Sequence, residues 1–277
     1  MMLLRVFFSV AILAGAALGY TSQPGLANLQ NPSLIANTRR YATNHVRENN
    51  EPHRFLTNKT RKYAVDGKTL PEVDFDAGES YAGLMPISTN SSDEGDLFFW
   101  FYPTINKEHA KKKEIVIWLN GGPGCSSLYG ALQENGPVLW EVGTKKPIKN
   151  PWSWHLLTNV VWVEQPFEVG FSRGKVGNPF DEDHNAEQFL RFWRNFVDAF
   201  ELHGWKVYVT AESYGGTYGP YIASHMIDAN DTMYYDVGGL VVYNGLIHDS
   251  TQVIQRNVPV ADYVEQRREP GLHQLAL

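Results

Sequence analysis

The chain has 277 residues, of which 43% are hydrophobic and 13% aromatic, so it can bury a large core. This composition excludes a disordered or fibrous protein, and the length permits one α/β domain or two smaller ones. The formal net charge at pH 7 is −6, and the short lysine run from Lys111 to Lys113 leads directly into an apolar stretch. Because there is no dense basic patch, we do not expect nucleic acid as a partner.

Residues 1–19 have the pattern of a secretory signal peptide. Arg5 supplies a positive start, residues 6–13 form an apolar run, and Ala17-Leu18-Gly19 resembles a cleavage site, which predicts cleavage before Tyr20. The apolar run is too short for a typical membrane anchor, although an uncleaved N-terminal anchor remains an alternative. We therefore expect a secreted or vacuolar/lysosomal protein that has no membrane contact after cleavage.

Three N-x-S/T sequons, at Asn58, Asn90 and Asn230, agree with this secretory route. Such motifs arise often by chance, so their weight comes from their agreement with the signal peptide. Cys125 is the only cysteine. In a secreted protein an odd cysteine indicates either an exposed thiol or a missing disulfide partner.

Residues 20–62 are polar and lack periodicity, which indicates a leader or propeptide-like segment, and the predicted domain covers residues 63–277. Within that domain, five near-continuous apolar runs predict strands that are covered on both faces. These runs are residues 97–102, 114–119, 160–163, 206–210 and 239–243.

Helices are predicted between and after the later strands. Apolar residues recur at helical spacing over residues 186–200, and the acids from Asp181 to Asp183 suit the positive end of a helix dipole. A second helix is expected to continue from Ser213, with a kink or restart at Pro220. The alternation of strands and helices predicts an α/β fold with a doubly wound, mostly parallel sheet.

Two turns carry the candidate chemistry. The stretch Asn120-Gly121-Gly122-Pro123-Gly124 follows a predicted strand, and its glycines allow backbone N–H groups to converge on an oxyanion or a carboxylate. The stretch Ala211-Glu212-Ser213-Tyr214-Gly215 follows another strand and predicts a sharp turn that presents Ser213 as a nucleophile. Gly122 and Tyr214 are the candidate oxyanion-hole donors, through their backbone N–H groups. Ala211 departs from the Gly-x-Ser-x-Gly pattern by one methyl group.

Together these motifs resemble the serine carboxypeptidase family, and the resemblance extends from about residue 98 to residue 245. It implies an α/β-hydrolase fold and an exopeptidase that releases C-terminal amino acids from peptides through a Ser213 acyl-enzyme. The expected partners are the C-termini of peptides or proteins, with no cofactor and no metal. The oligomeric state is left open.

The resemblance also implies a pocket for the substrate's terminal carboxylate, formed by Asn120 with Gly121, Glu134 and Glu212. Two carboxylates in contact cannot both ionise cheaply, so one is expected to hold a proton, and this predicts an acidic pH preference. Trp118 is a candidate wall of this pocket. The simpler alternatives are a solvated Glu134 and a Trp118 that only packs in the core.

A further segment, residues 159–172, resembles the family's Asp-Gln-Pro-x-x-x-Gly-Phe-Ser motif. Glu164 replaces the usual Asp, and Glu168 occupies a position that is commonly Gly or another small residue. The charge of Glu168 is expected either to face water or to perturb substrate entry.

The acid and histidine of a catalytic triad are not evident after Ser213. His225, His248 and His273 are the histidines in this part of the chain, and none has the position that the family implies. The resemblance also implies a disulfide partner for Cys125 that the chain lacks. We therefore expect an N-terminal part of a carboxypeptidase, either a fragment or a truncated gene model, incomplete at the C-terminal side of the sheet. The alternatives are a non-catalytic fragment or pseudoenzyme and a carboxypeptidase-like acyltransferase.

Overall fold

The computed structural model describes residues 53–88, 95–174 and 181–247. The predicted signal peptide, its cleavage site before Tyr20 and the sequon at Asn90 lie outside these residues. The strands are β1 (Ala64–Val65), β2 (Ser80–Pro86), β3 (Gly95–Tyr102), β4 (Glu114–Leu119), β5 (Val138–Leu139), β6 (Ile148–Lys149), β7 (Asn159–Glu164), β8 (Arg173–Gly174), β9 (Lys206–Glu212) and β10 (Asp236–Tyr243). The α-helices are α1 (Leu128–Gln133), α2 (Glu182–Phe200) and α3 (Gly215–Asp228).

One eight-stranded sheet organises the fold, in the order β1-β2-β3-β7-β4-β9-β10 with β8 paired to β3. Strands β7, β4, β9 and β10 are parallel, whereas β1, β2, β3 and β8 add antiparallel pairs on one side. Strands β5 and β6 form a separate pair. All five predicted strands are present. The predicted α/β class with a doubly wound sheet is confirmed.

The sheet separates two hydrophobic clusters, because successive side chains along each strand point to opposite faces. On one face, Phe99, Ile117 and Val209 pack with α2 and α3. On the other, Trp100 and Trp162 pack with α1. Both clusters consist of buried side chains, so the central strands are covered on both sides, as predicted.

Helix α2 is the predicted crossover helix, and Glu182 and Asp183 lie in its first turn, where the sequence placed acids at the positive end of the dipole. Asp181 caps its N-terminus, since the carboxylate accepts a hydrogen bond from the backbone N–H of His184 at 2.7 Å. Its buried face is strongly aromatic, and the rings of Phe196 and Phe200 lie 4.6 Å apart. Among the residues that the structure describes, no helix is long and apolar enough to cross a membrane.

Two expectations about the C-terminal elements need correction. Helix α3 begins at Gly215 and continues through Pro220 as one helix, so a restart at Pro220 is excluded. The residues that the structure describes leave strand β10 partly uncovered, because Leu240 is 39% and Val241 is 44% exposed. Within the described residues β10 lies at the end of the strand order and pairs with β9. An apolar run predicts a strand but does not show what covers it.

The folded region extends N-terminally of the predicted domain start at Tyr63. Phe55 is buried in the same cluster as Tyr63. The centroid of its ring lies 5.2 Å from that of Phe101 and 5.9 Å from that of Trp205. Thr60 is also buried and donates a hydrogen bond to the carbonyl of Phe55. The polar composition of residues 20–62 conceals this contact, because one aromatic residue gives no periodic signal.

Candidate active site

The two motif turns meet at one edge of the sheet because their strands are neighbours. Strands β4 and β9 are parallel, with Leu119 opposite Ala211. The residues that follow each strand therefore emerge at the same carboxyl edge, where open α/β sheets place their ligands. This brings Asn120 and its glycine turn beside Glu212 and Ser213.

Ser213 lies in a sharp turn between β9 and α3. Its backbone φ is +56°, in the left-handed region that strains a non-glycine residue by about 1 to 2 kcal/mol. Three backbone hydrogen bonds hold the turn. The Ser213 N–H donates to the carbonyl of Tyr243 at 2.9 Å, and the Ser213 carbonyl accepts from the N–H groups of Gly216 at 2.9 Å and Leu246 at 2.7 Å. The residue itself is exposed. This is the geometry of a nucleophile elbow.

Small residues allow the tight turn after Ser213. A Cβ on Gly215 would lie 2.8 Å from the Cβ of Ala211, and a Cβ on Gly216 would lie 2.9 Å from the Cα of Gly245. The extra methyl of Ala211 is accommodated because Gly215 and Gly219 face it without side chains.

The glycine turn packs directly against the elbow. A Cβ on Gly121 would lie 2.5 Å from the backbone nitrogen of Tyr214 and 2.8 Å from the Cβ of Ser213. Gly122 and Gly124 have φ of +114° and +89°, conformations that L side chains rarely adopt. Two candidate oxyanion donors, the N–H groups of Gly122 and Tyr214, thus belong to backbone segments in contact. This close approach is the physical reason for the glycines.

Asn120 links the two turns. It is buried, and its Oδ1 accepts hydrogen bonds from Trp118 Nε1 at 2.8 Å and from the Gly130 N–H at 3.0 Å. These two donors fix the orientation of the amide. Its Nδ2 then donates to Glu212 Oε2 at 2.7 Å and to Glu134 Oε1 at 3.2 Å. The sequence-predicted carboxylate pocket is therefore a set of side chains in contact.

Glu134 directly follows α1 and is the ionisable group of this set with the clearest perturbation. Burial first and the nearby Glu212 second raise the pKa of its carboxyl to about 7, against the opposing effect of the Asn120 hydrogen bond. Glu134 therefore carries a proton over much of the acidic range. A protonated carboxyl beside an amide N–H can donate to the carboxylate of a ligand.

Trp118 and Tyr129 border the same cluster in different ways. Trp118 is buried, its ring contacts Trp154 at 5.1 Å, and its indole N–H orients Asn120. Tyr129 is 37% exposed, and its pKa is raised by burial and by the charges of Glu134 and Glu212. Tyr129 was not predicted, because only the placement of α1 brings this ring to the carboxylates.

The segment after β7 contains the two departures from the family motif. Glu164 is fully buried, and its carboxyl accepts hydrogen bonds from the Ser126 hydroxyl and, at 2.5 Å, from the Phe171 N–H. Burial raises the pKa of Glu164 to about 7, although both hydrogen bonds lower it. Glu168 is exposed, in line with the expectation that its charge faces water, and its φ is +66°.

Several of the described histidine rings have hydrogen-bond partners, and Ser213 is not among them. His155 contacts Ser153 at 2.6 Å, His203 contacts Asp198 at 2.9 Å, and His225 contacts Asp183 at 2.8 Å. His248 and His273 lie outside the described residues. Over residues 53–88, 95–174 and 181–247, no group of three or more His, Cys, Asp or Glu side chains is arranged to hold a metal ion. Cys125 is a free, exposed cysteine.

A serine in a left-handed turn between a parallel strand and a helix, on a doubly wound sheet, defines an α/β-hydrolase. The profile of the serine carboxypeptidase family matches residues 71–266 of this chain. The chain therefore belongs to the serine carboxypeptidase family.

Individual relatives agree with this assignment. The chain is 52% identical over 220 residues to a probable serine carboxypeptidase of Arthroderma benhamiae, covering 76% of this chain and 41% of the relative. It is 45% identical over 216 residues to serine-type carboxypeptidase F of Aspergillus niger, covering 78% of this chain and 39% of the relative.

A solved structure has the same fold. The crystal structure of a prohormone-processing carboxypeptidase from Saccharomyces cerevisiae matches with a TM-score of 0.63 and 28% identity, over 76% of this chain and 48% of that chain. The chain thus spans about two-fifths of the length of the curated relatives described above.

Proposed function

We propose that the protein is a serine-type carboxypeptidase that releases C-terminal amino acids from peptides through an acyl-enzyme on Ser213. One observation supports this most strongly. The Asn120 amide donates hydrogen bonds to both Glu134 and Glu212, and this group lies next to an exposed serine in an elbow turn. A peptidase that cuts only at the C-terminus needs a carboxylate site one residue away from its nucleophile. A proton-bearing carboxyl and an amide donor provide one without a fixed positive charge.

The proposed reaction uses the two turns together. The terminal carboxylate of the peptide accepts hydrogen bonds from Asn120 and from protonated Glu134. Ser213 Oγ attacks the last peptide carbonyl, and the N–H groups of Gly122 and Tyr214 stabilise the oxyanion. The C–N bond then breaks, the C-terminal amino acid leaves with a proton on its amine, and water hydrolyses the acyl-enzyme.

The base that takes the Ser213 proton is the missing part of this arrangement. Within the described residues no histidine ring is hydrogen-bonded to Ser213. The proposal therefore takes its general base, and the acid that orients it, from elsewhere in the protein.

Labelling and hydrolysis test the proposal on protein expressed from the native transcript. Wild type should react stoichiometrically with a fluorophosphonate and release C-terminal amino acids, and Ser213→Ala should lose both activities. Ser224→Ala, which changes an exposed serine of α3, is the matched control and should retain them. Release at the wild-type rate by Ser213→Ala would refute the proposal.

The same experiment separates the two alternatives. A protein that forms the acyl-enzyme but transfers the acyl group from an ester to an added alcohol, and leaves peptides intact, is an acyltransferase. A folded protein that neither reacts with the fluorophosphonate nor cleaves peptides is non-catalytic. Only peptide cleavage that depends on Ser213 supports the carboxypeptidase.

A secretory route is part of the same proposal. Asn58 and Asn230 both belong to sequons and are exposed, as a glycosylated asparagine must be. Glycosidase treatment should lower the apparent mass of the secreted protein, and Asn58→Gln and Asn230→Gln should each reduce that shift. An intact Met1 and an unchanged mobility would contradict this route.

A further inference from the structure

Glu164 lies at the end of β7, next to β4 in the sheet, and its buried carboxyl joins two loops. One oxygen accepts a hydrogen bond from Ser126, which belongs to the glycine turn. The other accepts from the backbone N–H of Phe171 at 2.5 Å. A buried carboxyl with a donor on each oxygen is well satisfied and holds both donors in place.

The contact with Ser126 continues into α1. Ser126 Oγ also accepts a hydrogen bond from the backbone N–H of Leu128, the first residue of α1, at 3.2 Å. The neighbouring Ser127 accepts from the N–H of Asn120 at 3.1 Å. The turn is thus anchored at Asn120 by one serine and to β7 by the other. Between these anchors Gly124 has no neighbour that a Cβ would meet within 4 Å, so packing does little to fix that part of the turn.

Glu164 is itself tightly enclosed by the segment that follows β7. A Cβ on Gly170 would lie 2.0 Å from Oε1 of Glu164, so only glycine fits there beside the carboxyl. Ser172 Oγ donates to the Glu164 carbonyl at 2.5 Å and accepts from the Phe98 N–H at 2.8 Å. The carboxyl therefore has a fixed position from which to hold Ser126.

We propose that Glu164 is a positioning residue that, through Ser126, fixes the glycine turn and the start of α1 relative to the elbow. The turn carries the Gly122 N–H and α1 carries Glu134 at its end, so one carboxyl sets the geometry of both halves of the site. The effect on Ser213 reactivity rests on the proposed function, whereas the ordering of the turn does not.

Two readouts test the proposal separately. Amide hydrogen exchange over residues 120–128 reports the order of the turn without requiring activity. The rate of Ser213 labelling by a fluorophosphonate reports the oxyanion geometry, because the phosphonyl oxygen occupies the place of the oxyanion. Ser126→Ala removes one hydroxyl and is the main variant. Glu164→Gln keeps an acceptor for Ser126 but replaces one carboxyl oxygen with a donor. Glu168→Gln, an exposed glutamate of the same segment, is the matched control.

We expect Ser126→Ala to speed exchange in residues 120–128 by about tenfold and to slow Ser213 labelling by about tenfold, with exchange in β9 unchanged. For peptide cleavage kcat should fall more than KM rises, since an oxyanion donor acts on the transition state. Glu164→Gln should show a smaller effect, and Glu168→Gln should match wild type.

Either of two results would overturn the proposal. Unchanged exchange in residues 120–128 of a folded Ser126→Ala protein would show that the contact does not order the turn. Faster exchange with wild-type Ser213 labelling would show that turn order does not affect the elbow. If wild type itself fails to label, the exchange result still tests the positioning role, and the failure belongs to the proposed function.

Discussion

Glu134 and Glu212 accept hydrogen bonds from the same nitrogen, although one follows helix α1 and the other ends strand β9. The shared donor is Nδ2 of Asn120, whose orientation is fixed by two donors to its Oδ1. Burial and the proximity of Glu212 raise the pKa of Glu134 to about 7. In the proposed function, the pair therefore couples binding of the substrate carboxylate to the proton held by Glu134.

Substrate affinity is expected to depend on that proton. Because the pKa of Glu134 is raised to about 7, the protonated form predominates below pH 7 and is lost as the pH rises through this value. For a peptide with a free C-terminus, KM should rise above pH 7 by up to about tenfold per pH unit. Glu134→Gln keeps a donor but cannot ionise, so its KM should vary less with pH. Steady-state kinetics from pH 5 to about pH 8.5 measure this.

A C-terminally amidated peptide is the control for this experiment. It has no carboxylate to compete with the ionised pair, so its KM should not rise above pH 7 in the same way. Identical pH profiles for wild type and Glu134→Gln with the free peptide would show that Glu134 is not part of the pocket.

The same ionisation should appear in stability, independently of catalysis. The folded-state pKa of about 7 exceeds the ordinary value of 4.5, so the folded protein binds more protons than the unfolded chain between these pH values. The free energy of unfolding of wild type should therefore fall, relative to Glu134→Gln, as the pH rises from 4.5 to 7. Since one pKa unit corresponds to about 1.4 kcal/mol and the carboxyl is partly exposed, we expect a change of about 2 kcal/mol.

Urea denaturation at several pH values between 4.5 and 8 measures this difference. Glu168→Gln removes an exposed carboxyl and serves as the control for the loss of one acidic group. If the free energies of unfolding of wild type and Glu134→Gln differ by a constant amount across this range, the pKa of Glu134 is not raised.

The sequence predicts the central sheet and the two motif turns but not the contacts between them. Apolar runs identify β4 and β7 because both strands are buried on both faces. Strand β2 gives no such signal, since Ser80, Gly83 and Pro86 interrupt it. The contact of Glu164 with Ser126 is equally hidden, because it joins the end of β7 to the turn that follows β4, and these two strands are adjacent only in the folded sheet.

Gly121→Ala should separate the glycine turn from the elbow. Its Cβ would lie 2.5 Å from the Tyr214 nitrogen and 2.6 Å from the Glu212 carbonyl oxygen, both backbone atoms that cannot rotate away. We expect a loss of about 2 to 3 kcal/mol in stability and at least a tenfold slower labelling of Ser213. Thermal unfolding and fluorophosphonate kinetics measure the two effects.

Gly124→Ala is the matched control for this substitution. Gly124 has a positive φ, +89°, whereas Gly121 does not, and no atom lies within 4 Å of the added Cβ at Gly124. It should lose only about 1 kcal/mol from backbone strain. If Gly121→Ala loses no more stability than Gly124→Ala, the close contact between turn and elbow contributes little to the stability of the fold.

Replacing Glu168 by glycine should give a more stable protein than replacing it by alanine. Its φ of +66° favours glycine, whereas alanine removes the charge but keeps the strain. In a chemical denaturation experiment Glu168→Gly should be about 1 kcal/mol more stable than Glu168→Ala. At an ordinary loop position the order is reversed, because glycine is more flexible in the unfolded chain, so a more stable alanine variant would refute the left-handed conformation.

Residues before Tyr63 should contribute to the stability of the hydrolase fold. Phe55 is buried against Phe101 and Trp205, so Phe55→Ala leaves a cavity and should lower the free energy of unfolding by about 3 kcal/mol. Leu56→Ala, at an exposed neighbouring position, should change it by less than about 0.5 kcal/mol. Denaturant midpoints of the two variants measure the difference. If Phe55→Ala is as stable as Leu56→Ala, the folded domain begins after Phe55, near the predicted start at Tyr63.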